Sequence, residues 1–320
     1  MTQPGAAPSG PSPALGFGLP TSGAWATADA MATVAREAEA AGYHSLWTFQ
    51  RLLTPIEHSW GSSYDSPHDP LVSLAYAAAL TERVRLGVAV LNAPFTTPLQ
   101  LAKAATTLDE VSAGRLDLGL GAGWAQEEFD AVGVPFARRG ARFEEFLRCL
   151  TAIWTQDPVE FDGAFYRVPR SHVDPKPRQR PHPPVLLGGA APAALRRVGR
   201  MADGWISASR ADLRRIGEDI AIIREAATTA GRDPDRLRIV CRGVVRLTDG
   251  ADRAGDPAAR RPLRGSAEQI REDLAALAAA GVTEVFLDPN FDPAISGPGA
   301  DPAESLRRAM HLLETFAPGR

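Results

Sequence analysis

Residue types that form reactive sites are scarce in this chain of 320 residues. Cysteine occurs twice, as Cys149 and Cys241, at a spacing that fits neither a zinc site nor a redox-active CxxC pair. Of the 35 basic residues, only Lys103 and Lys176 are lysine, and neither follows a predicted strand, which argues against a Schiff-base aldolase. The sequence also contains no HxH or HExxH pair and no GxSxG segment. We therefore expect neither a metal site of the zinc type nor a serine hydrolase.

The chain also lacks long apolar runs and any large excess of charge. No run approaches the roughly 20 residues that a membrane-spanning helix requires, and the net charge is only −3. We therefore expect no membrane association and no nucleic-acid partner. The N-terminus has no basic segment followed by an apolar core, so we predict no signal peptide and a cytoplasmic location.

What the sequence does contain is a regular alternation. Residues 1–13 are small or Pro-rich and are expected to form a disordered tail. From residue 14 onward, short apolar runs alternate with amphipathic helical segments, as in parallel α/β folds. We predict eight strands, at 15–19, 43–48, 84–91, 115–121, 184–189, 203–207, 236–247 and 282–288. Each is followed by a helix, and the first carries no GxGxxG fingerprint, so a (β/α)8 TIM barrel is favoured over a doubly wound sheet.

The alternation is interrupted after the fourth strand. A helix predicted over 139–155 is followed by Asp162-Gly163 between aromatic residues, which indicates a β-hairpin turn. A Pro-rich stretch then runs to residue 183, and proline is rare inside helices and central strands. We interpret 156–183 as a loop and hairpin inserted over one end of a single barrel that spans 14–320. A linker between two domains is the alternative, although neither side alone holds a complete set of repeats.

Two strand ends are rich in glycine, and the carboxyl ends of barrel strands hold the active site. Gly121-Ala122-Gly123-Trp124 closes the fourth strand, where missing Cβ atoms let a flat ring approach the backbone. Gly188-Gly189-Ala190 closes the fifth strand and precedes a helix, whose free N–H groups attract phosphate. Simple tight turns are the alternative interpretation of both segments.

Titratable candidates near the strand ends are fewer. Glu127 and Glu128 follow the first glycine turn, where either is a candidate acid, base or substrate-binding group, or a solvated residue of the first helical turn. His58 and His68 lie in a long loop after the second strand, which is able to fold over the site. His44 lies within the second strand and is more typical of a packed residue.

Two long segments resemble a known family. The run RVRLGVAVLNAPFTTPLQLAKAATTLDEVSAGRLDLGLGAGWAQEEFDAVGVPFARRGARFEE strongly resembles the luciferase-like monooxygenase family, especially its F420-dependent oxidoreductase branch. PHPPVLLGGAAPAALRRVGRMADGWI resembles a second hallmark of that family. The resemblance covers essentially 14–290. It implies a bacterial luciferase-like (β/α)8 barrel with an insertion after strand four, a homodimer, and either F420 or FMN as the cofactor.

The resemblance also assigns expected roles to residues at the strand ends. Ala89-Val90 is where members of the family often form a non-prolyl cis peptide against the cofactor ring. Asn92 and the turn formed by Gly121, Ala122, Gly123 and Trp124 are expected to line that ring. Gly188, Gly189 and Ala190 are expected to hold the phosphate, in agreement with the helix-start argument.

The chain departs from the family pattern just after the second strand. Many F420-dependent members carry an Asp-His pair there, and the histidine acts in catalysis. Gln50 and Arg51 occupy those places here. Arginine is no base at neutral pH, but it can stabilise an anionic reduced cofactor or bind an acidic substrate. We take Arg51, Gln50 and Glu127 as the candidate catalytic residues.

The sequence as a whole predicts an F420-dependent oxidoreductase that transfers a hydride to or from a small organic substrate. An FMN-dependent monooxygenase using reduced flavin and O2 is the first alternative, and a non-catalytic flavin-binding protein is the second. The loop over 51–68 and the insertion over 156–183 set the substrate, and neither contains a motif that identifies it.

Overall fold

The computed structural model describes residues 12–58, 60–248 and 260–319. Most of the predicted N-terminal tail and part of the Gly- and Pro-rich loop after the seventh predicted strand lie outside these ranges. The described strands are β1 Ala14–Gly18, β2 Ser45–Thr48, β3 Arg85–Val88, β4 Leu91–Asn92, β5 Leu116–Gly121, β6 Val159–Asp162, β7 Arg167–Ser171, β8 Val185–Gly188, β9 Gly204–Ile206, β10 Arg238–Gly243, β11 Arg246–Leu247, β12 Arg264–Gly265 and β13 Glu284–Leu287.

Eight of these strands form a closed parallel barrel, in the order β3-β2-β1-β13-β10-β9-β8-β5, and β3 also pairs with β5 to complete the ring. The predicted TIM barrel is therefore confirmed. Because all eight strands run in one direction, their carboxyl ends share one rim. The two-residue strand β4 adds to β5 at that rim.

The helices follow the strands in alternation and cover the barrel. They are α1 Ala28–Ala40, α2 Pro70–Leu80, α3 Pro98–Val111, α4 Gln126–Ala131, α5 Arg139–Thr155, α6 Pro192–Met201, α7 Ile216–Thr229, α8 Ala267–Ala279, α9 Pro293–Ser296 and α10 Pro302–Thr315. In the described part of the chain, none of them is both long and apolar enough to cross a membrane.

Local sequence explains where several helices begin. The Asp69 side chain accepts a hydrogen bond from Val72 N, with Pro70 in the first helical position. Thr97 with Gln100 and Ser266 with Gln269 form complete capping boxes. Asp69-Pro70, Thr97-Pro98 and Ser266 with Gln269 predict these helix starts from the sequence alone, and α2, α3 and α8 begin there.

One predicted strand is wrong in extent. The seventh was predicted as a continuous strand over 236–247, but β10 ends at Gly243, which lies opposite Leu287 at the end of β13. Residues beyond Gly243 therefore have no partner in the barrel. The chain turns away there, and β11 pairs with β12 in a separate two-stranded sheet.

The inserted segment contains the predicted hairpin, formed by antiparallel β6 and β7. The buried Glu145 carboxylate of α5 fixes its turn by accepting hydrogen bonds from the backbone N–H groups of Ala164, Phe165 and Tyr166. The Pro-rich stretch then passes beneath the barrel, where Gln179 Nε2 donates to Leu116 O at the first residue of β5. The Pro-rich stretch is thus tied to the amino ends of the strands, opposite the rim, whereas the hairpin turn is tied to α5.

The barrel interior is ionic at this amino-terminal end. Asp117, fully buried on β5, accepts hydrogen bonds from Arg85 Nε at 2.8 Å and Arg238 Nη1 at 2.6 Å. Arg238 also binds Glu284 at 3.0 Å, and Glu284 accepts from Ser45 and Trp47. Burial by itself raises the pKa of Asp117, but the hydrogen bonds and charges of Arg85 and Arg238 outweigh it and lower that pKa.

We expect Asp117→Asn to lower the free energy of unfolding at pH 7 by about 3–5 kcal/mol, because it leaves two guanidinium groups without their buried partner. The pKa of Asp117 is lower in the native state than in the unfolded chain. Its contribution to the free energy of unfolding is therefore complete above the unfolded pKa of about 3.9, and it is lost as the pH falls through the native pKa. Urea unfolding measured at a series of pH values should therefore show that the difference in unfolding free energy between wild type and variant becomes smaller below about pH 4.

Glu110→Gln is the matched control, because Glu110 forms an exposed ion pair with Arg178. An exposed pair contributes less than about 1 kcal/mol. Equal losses of stability in the two variants would contradict a dominant role for the buried network.

Candidate functional site

A cavity of about 790 Å³ opens at the carboxyl ends of the barrel strands. This volume lies within the usual range for ligand sites. Segments that follow β2, β3, β5, β8 and β9 line it, together with Arg242 of β10 and the start of α5. Because these segments are far apart in sequence, only closure of the barrel brings them to one place.

Most of the residues predicted for the site line this cavity. They are Gln50, Arg51, Ala89, Val90, Asn92, Gly121, Ala122, Gly123, Trp124, Gly188, Gly189 and Ala190. Glu127 is exposed on the first turn of α4 and is not one of the lining residues. Its neighbour Glu128 is buried and points to Arg51 instead.

The predicted histidine candidates lie elsewhere. His58 pairs with Asp65, and His68 binds Ala26 O. His44 lies near Glu284, at the amino-terminal end of the barrel. None of the three lines the cavity. In the ranges that the structure describes, no cluster of His, Cys, Asp and Glu side chains is arranged to hold a metal ion.

One wall of the cavity is flat because it is built from small residues and backbone. The peptide between Ala89 and Val90 is cis. A Cβ atom on Gly121 would lie 2.8 Å from Val90 Cγ2, and Gly123 has a φ of +77°, which L side chains rarely adopt. A Cβ atom on Gly123 would also lie 2.7 Å from Phe129 Cε2, so glycine at both positions lets the segments of this wall pack closely.

Gln50 holds this wall in place. Its side-chain Oε1 accepts a hydrogen bond from Asn92 N at 2.8 Å, across the gap between the ends of β2 and β3. The opposite side of the same segment is fixed by Arg242, whose Nη1 donates to Ala89 O at 3.2 Å. The geometry gives Gln50 a positioning contact with the backbone, and its carboxamide has no useful acid–base chemistry at neutral pH.

Two helix N-termini line another part of the cavity. Gly189, with a φ of +130°, leads through Ala191 into α6. Arg138, Arg139 and Gly140 open α5, and Arg197 Nη2 of α6 lies 3.5 Å from Gly140 O. Free N–H groups and the positive ends of two helix dipoles attract an anion. We call Arg138–Ala141 with Gly188–Ala191 the anion end of the cavity.

The anion end carries more positive charge than its ion pairs neutralise. Arg197 binds Glu144 at 3.0 Å. Among the described residues, Arg138 and Arg139 have no carboxylate within ion-pair distance, and their guanidinium groups lie over the rings of Phe165 and Phe136. Sequence analysis did not identify these arginines. The available signal was an Arg-Arg-Gly run at a helix start, but no strand end lies nearby in the sequence.

Arg51, just after the carboxyl end of β2, forms a buried ion pair with Glu128. Its Nη1 lies 2.8 Å from Glu128 Oε2, and the side chains are 4% and 0% exposed. Glu128 also accepts a hydrogen bond from Leu52 N at 2.7 Å. Burial raises the pKa of Glu128, although the hydrogen bond from Leu52 N–H and the charge of Arg51 oppose the rise. Burial also lowers the pKa of Arg51, although the charge of Glu128 opposes this change. The pair fixes both Arg51 and the first residues of the loop that follows β2.

We expect Glu128→Gln to lower the free energy of unfolding by about 3 kcal/mol, because it leaves the buried Arg51 guanidinium without its carboxylate. Amide hydrogen exchange in the loop after Arg51 should become faster. The matched control is Glu127→Gln on the exposed adjacent position, expected to change stability by less than about 0.5 kcal/mol. Equivalent effects of the two variants would show that the ion pair does not hold the loop.

Comparison with known proteins agrees with this architecture. Residues 11–281 match the family described as luciferase-like monooxygenase. The chain is 34% identical to an uncharacterized protein of Mycobacterium tuberculosis over 257 residues, covering 77% of this chain and 90% of the relative. It is 33% identical to an FMNH2-dependent dimethylsulfone monooxygenase of Pseudomonas putida over 186 residues, covering 57% of this chain and 51% of that enzyme.

Solved structures show the same fold over the full length. A monooxygenase from Streptomyces bottropensis superposes with a TM-score of 0.77 at 26% identity, covering 95% of this chain and 98% of the other. An F420-dependent secondary alcohol dehydrogenase superposes with a TM-score of 0.78 at 16% identity, covering 97% and 99%. On the match over 11–281, this chain belongs to the luciferase-like monooxygenase family.

Proposed function

We propose that this protein is an F420-dependent oxidoreductase that transfers a hydride between the deazaflavin and a small organic substrate. The observation that carries the proposal is the anion end, where two helix N-termini meet Arg138 and Arg139, neither of which is paired with a carboxylate in the described structure. F420 bears a phosphodiester followed by a tail of carboxylates, and so has more negative groups than the single phosphate of FMN. The proposed homodimer and cytoplasmic location stay predictions.

The residues of the cavity fit such a cofactor. The flat wall formed by Val90, Gly121 and Gly123 would receive the planar ring system, and the anion end would hold the phosphate. When bound, F420 supplies a hydride donor or acceptor. The protein's own contribution is to orient the ring, exclude water and hold charge where it is needed.

A proton must accompany hydride transfer to a carbonyl or an alkene, and few lining groups can supply it. Gln50 is not acidic, and Arg51 stays protonated at neutral pH. Tyr64 lines the cavity, and its hydroxyl lies 2.9 Å from Ser209 Oγ. A phenol both donates and accepts hydrogen bonds, so we propose that Tyr64, supported by Ser209, holds the transferred proton.

The first test is a fluorescence titration of purified protein with F420, with FMN, and with the deazaflavin riboside that lacks phosphate and tail. We expect F420 to bind most tightly. The double variant Arg138→Ala/Arg139→Ala should weaken F420 binding about 10- to 100-fold, because charge-assisted contacts to phosphate and carboxylate are lost. It should leave affinity for the riboside unchanged.

Arg170→Ala, an exposed position on the hairpin, serves as the control and should bind F420 like the wild type. If the protein binds neither F420 nor FMN, the proposal is wrong. If the double variant weakens binding of the riboside as much as binding of F420, the anion end does not act on the phosphate and tail.

An FMN-dependent monooxygenase that uses reduced flavin and O2 is the second candidate. It is favoured by two relatives with a named activity, the dimethylsulfone monooxygenase at 33% identity and the Streptomyces monooxygenase at 26%. This function predicts tighter binding of FMN than of F420. It also predicts substrate-dependent O2 uptake with reduced FMN, and no substrate-dependent reduction of F420 under anaerobic conditions.

A further inference from the structure

Two buried arginines line the cavity, and they differ in how fully they are paired. Arg242 donates from Nε to Asp288 Oδ2 at 2.8 Å and from Nη1 to Ala89 O, and its Nη2 lies 2.7 Å from the same carboxylate. Every nitrogen of this guanidinium has a protein partner. Arg242 is therefore the more fully paired of the two arginines, although each of its Nη atoms carries a second N–H.

Arg51 is different. Its Nη1 donates to Glu128, but Nε is buried and finds no hydrogen-bond acceptor in the part of the chain that the structure describes. Leaving a buried donor of a charged group unpaired is costly, so such donors normally have a partner. Nε itself has almost no accessible surface. Nη2 of the same guanidinium also has no acceptor among the described residues, and it is not closed off in this way. Because Arg51 lines the cavity, a ligand in the cavity can provide an acceptor for Nη2.

The guanidinium is held too firmly to find an acceptor by moving. Its central carbon lies 4.6 Å from the ring centre of Trp124 and 5.0 Å from those of Trp60 and Tyr64. Glu128 also binds the next backbone N–H, at Leu52, so the ion pair and the chain are fixed together. A preorganised donor of this kind loses little entropy when it binds a ligand.

We propose that Arg51 is the substrate anchor, and that the substrate is a small organic carboxylate, or a similar oxyanion, with a planar apolar body. The oxyanion accepts from Nη2 of Arg51, beside the unpaired Nε–H. The apolar body lies among aromatic side chains that line the same cavity, namely Phe49, Tyr64 and Trp124. The inference rests on the proposed function, since a bound F420 would share the cavity with the substrate.

The charges near Arg51 are compatible with one added anion. The negative charge of Glu128 is shared between Arg51 and the N–H group of Leu52. Arg242, although paired with Asp288, is close enough to Arg51 to lower its pKa by charge repulsion. An anion bound to Arg51 relieves this repulsion. A cationic substrate would meet two buried guanidinium groups instead and is excluded on the same ground.

The test uses benzoate and benzamide as probes of matched shape and different charge. Isothermal titration calorimetry at pH 7, on protein with and without saturating F420, should show that benzoate binds at least tenfold more tightly than benzamide. Arg51→Gln should abolish this preference, and Arg51→Lys should retain part of it. Arg170→Gln, on the exposed hairpin, should retain all of it. Wild-type protein that binds both probes equally, or Arg51→Gln protein that still prefers benzoate, would overturn the proposal.

A second measurement covers the case in which Arg51→Gln does not fold. The Nε–H resonance of Arg51, assigned by its absence in Arg51→Lys, should shift in ¹⁵N NMR spectra when benzoate is added and not when benzamide is added. An unchanged resonance at saturating benzoate rejects the contact. If Arg138→Ala/Arg139→Ala abolishes the preference for benzoate while Arg51→Gln preserves it, benzoate binds the anion end and the proposal is wrong.

The two proposals fail in different ways. Protein that prefers benzoate through Arg51 but binds no F420 would support Arg51 as the substrate anchor and contradict F420 as the cofactor. Protein that binds F420 but has no preference for benzoate over benzamide would support F420 as the cofactor and contradict Arg51 as the substrate anchor.

Discussion

The pairing of β3 with β5 closes the sheet, and every feature of the site depends on that closure. A closed parallel barrel has two distinct ends, one made from strand starts and the other from strand ends. The ionic network around Asp117 occupies the first, and the cavity occupies the second. The charges of the network and those of the cavity are separated by the apolar layer that contains Trp47, Ile206 and Phe286.

Both backbone and side-chain contacts shape the rim of the barrel. Gly121 and Gly123 let the backbone pack closely against Val90 and Phe129, and Gln50 and Arg242 fix the segment between Ala89 and Asn92. Gln50, a candidate catalytic residue, thus has its side-chain oxygen bound to the backbone of this segment. At the same rim, Arg51 has a buried donor, Nε, without a hydrogen-bond partner in the described structure.

Much of this arrangement follows from local patterns in the sequence. Alternating strands and helices predicted the barrel, and cap residues such as Asp69 and Ser266 predicted where helices begin. The glycine turns at 121–123 and 188–189 predicted two parts of the cavity lining. These patterns are readable because strand direction, helix capping and glycine conformation are set by neighbours in the chain.

The sequence by itself determined the barrel, the rim and the small-residue walls of the cavity, whereas tertiary structure decided the partners of its polar groups. Glu127 and Glu128 are adjacent, and only the packing of the short helix α4 against the loop after β2 turned Glu128 inward to Arg51. Arg138 and Arg139 reach the anion end because α5 begins beside α6, some fifty residues later in the chain. Contacts of this kind join segments whose separation along the chain carries no periodic signal, so they exist only once the barrel has closed.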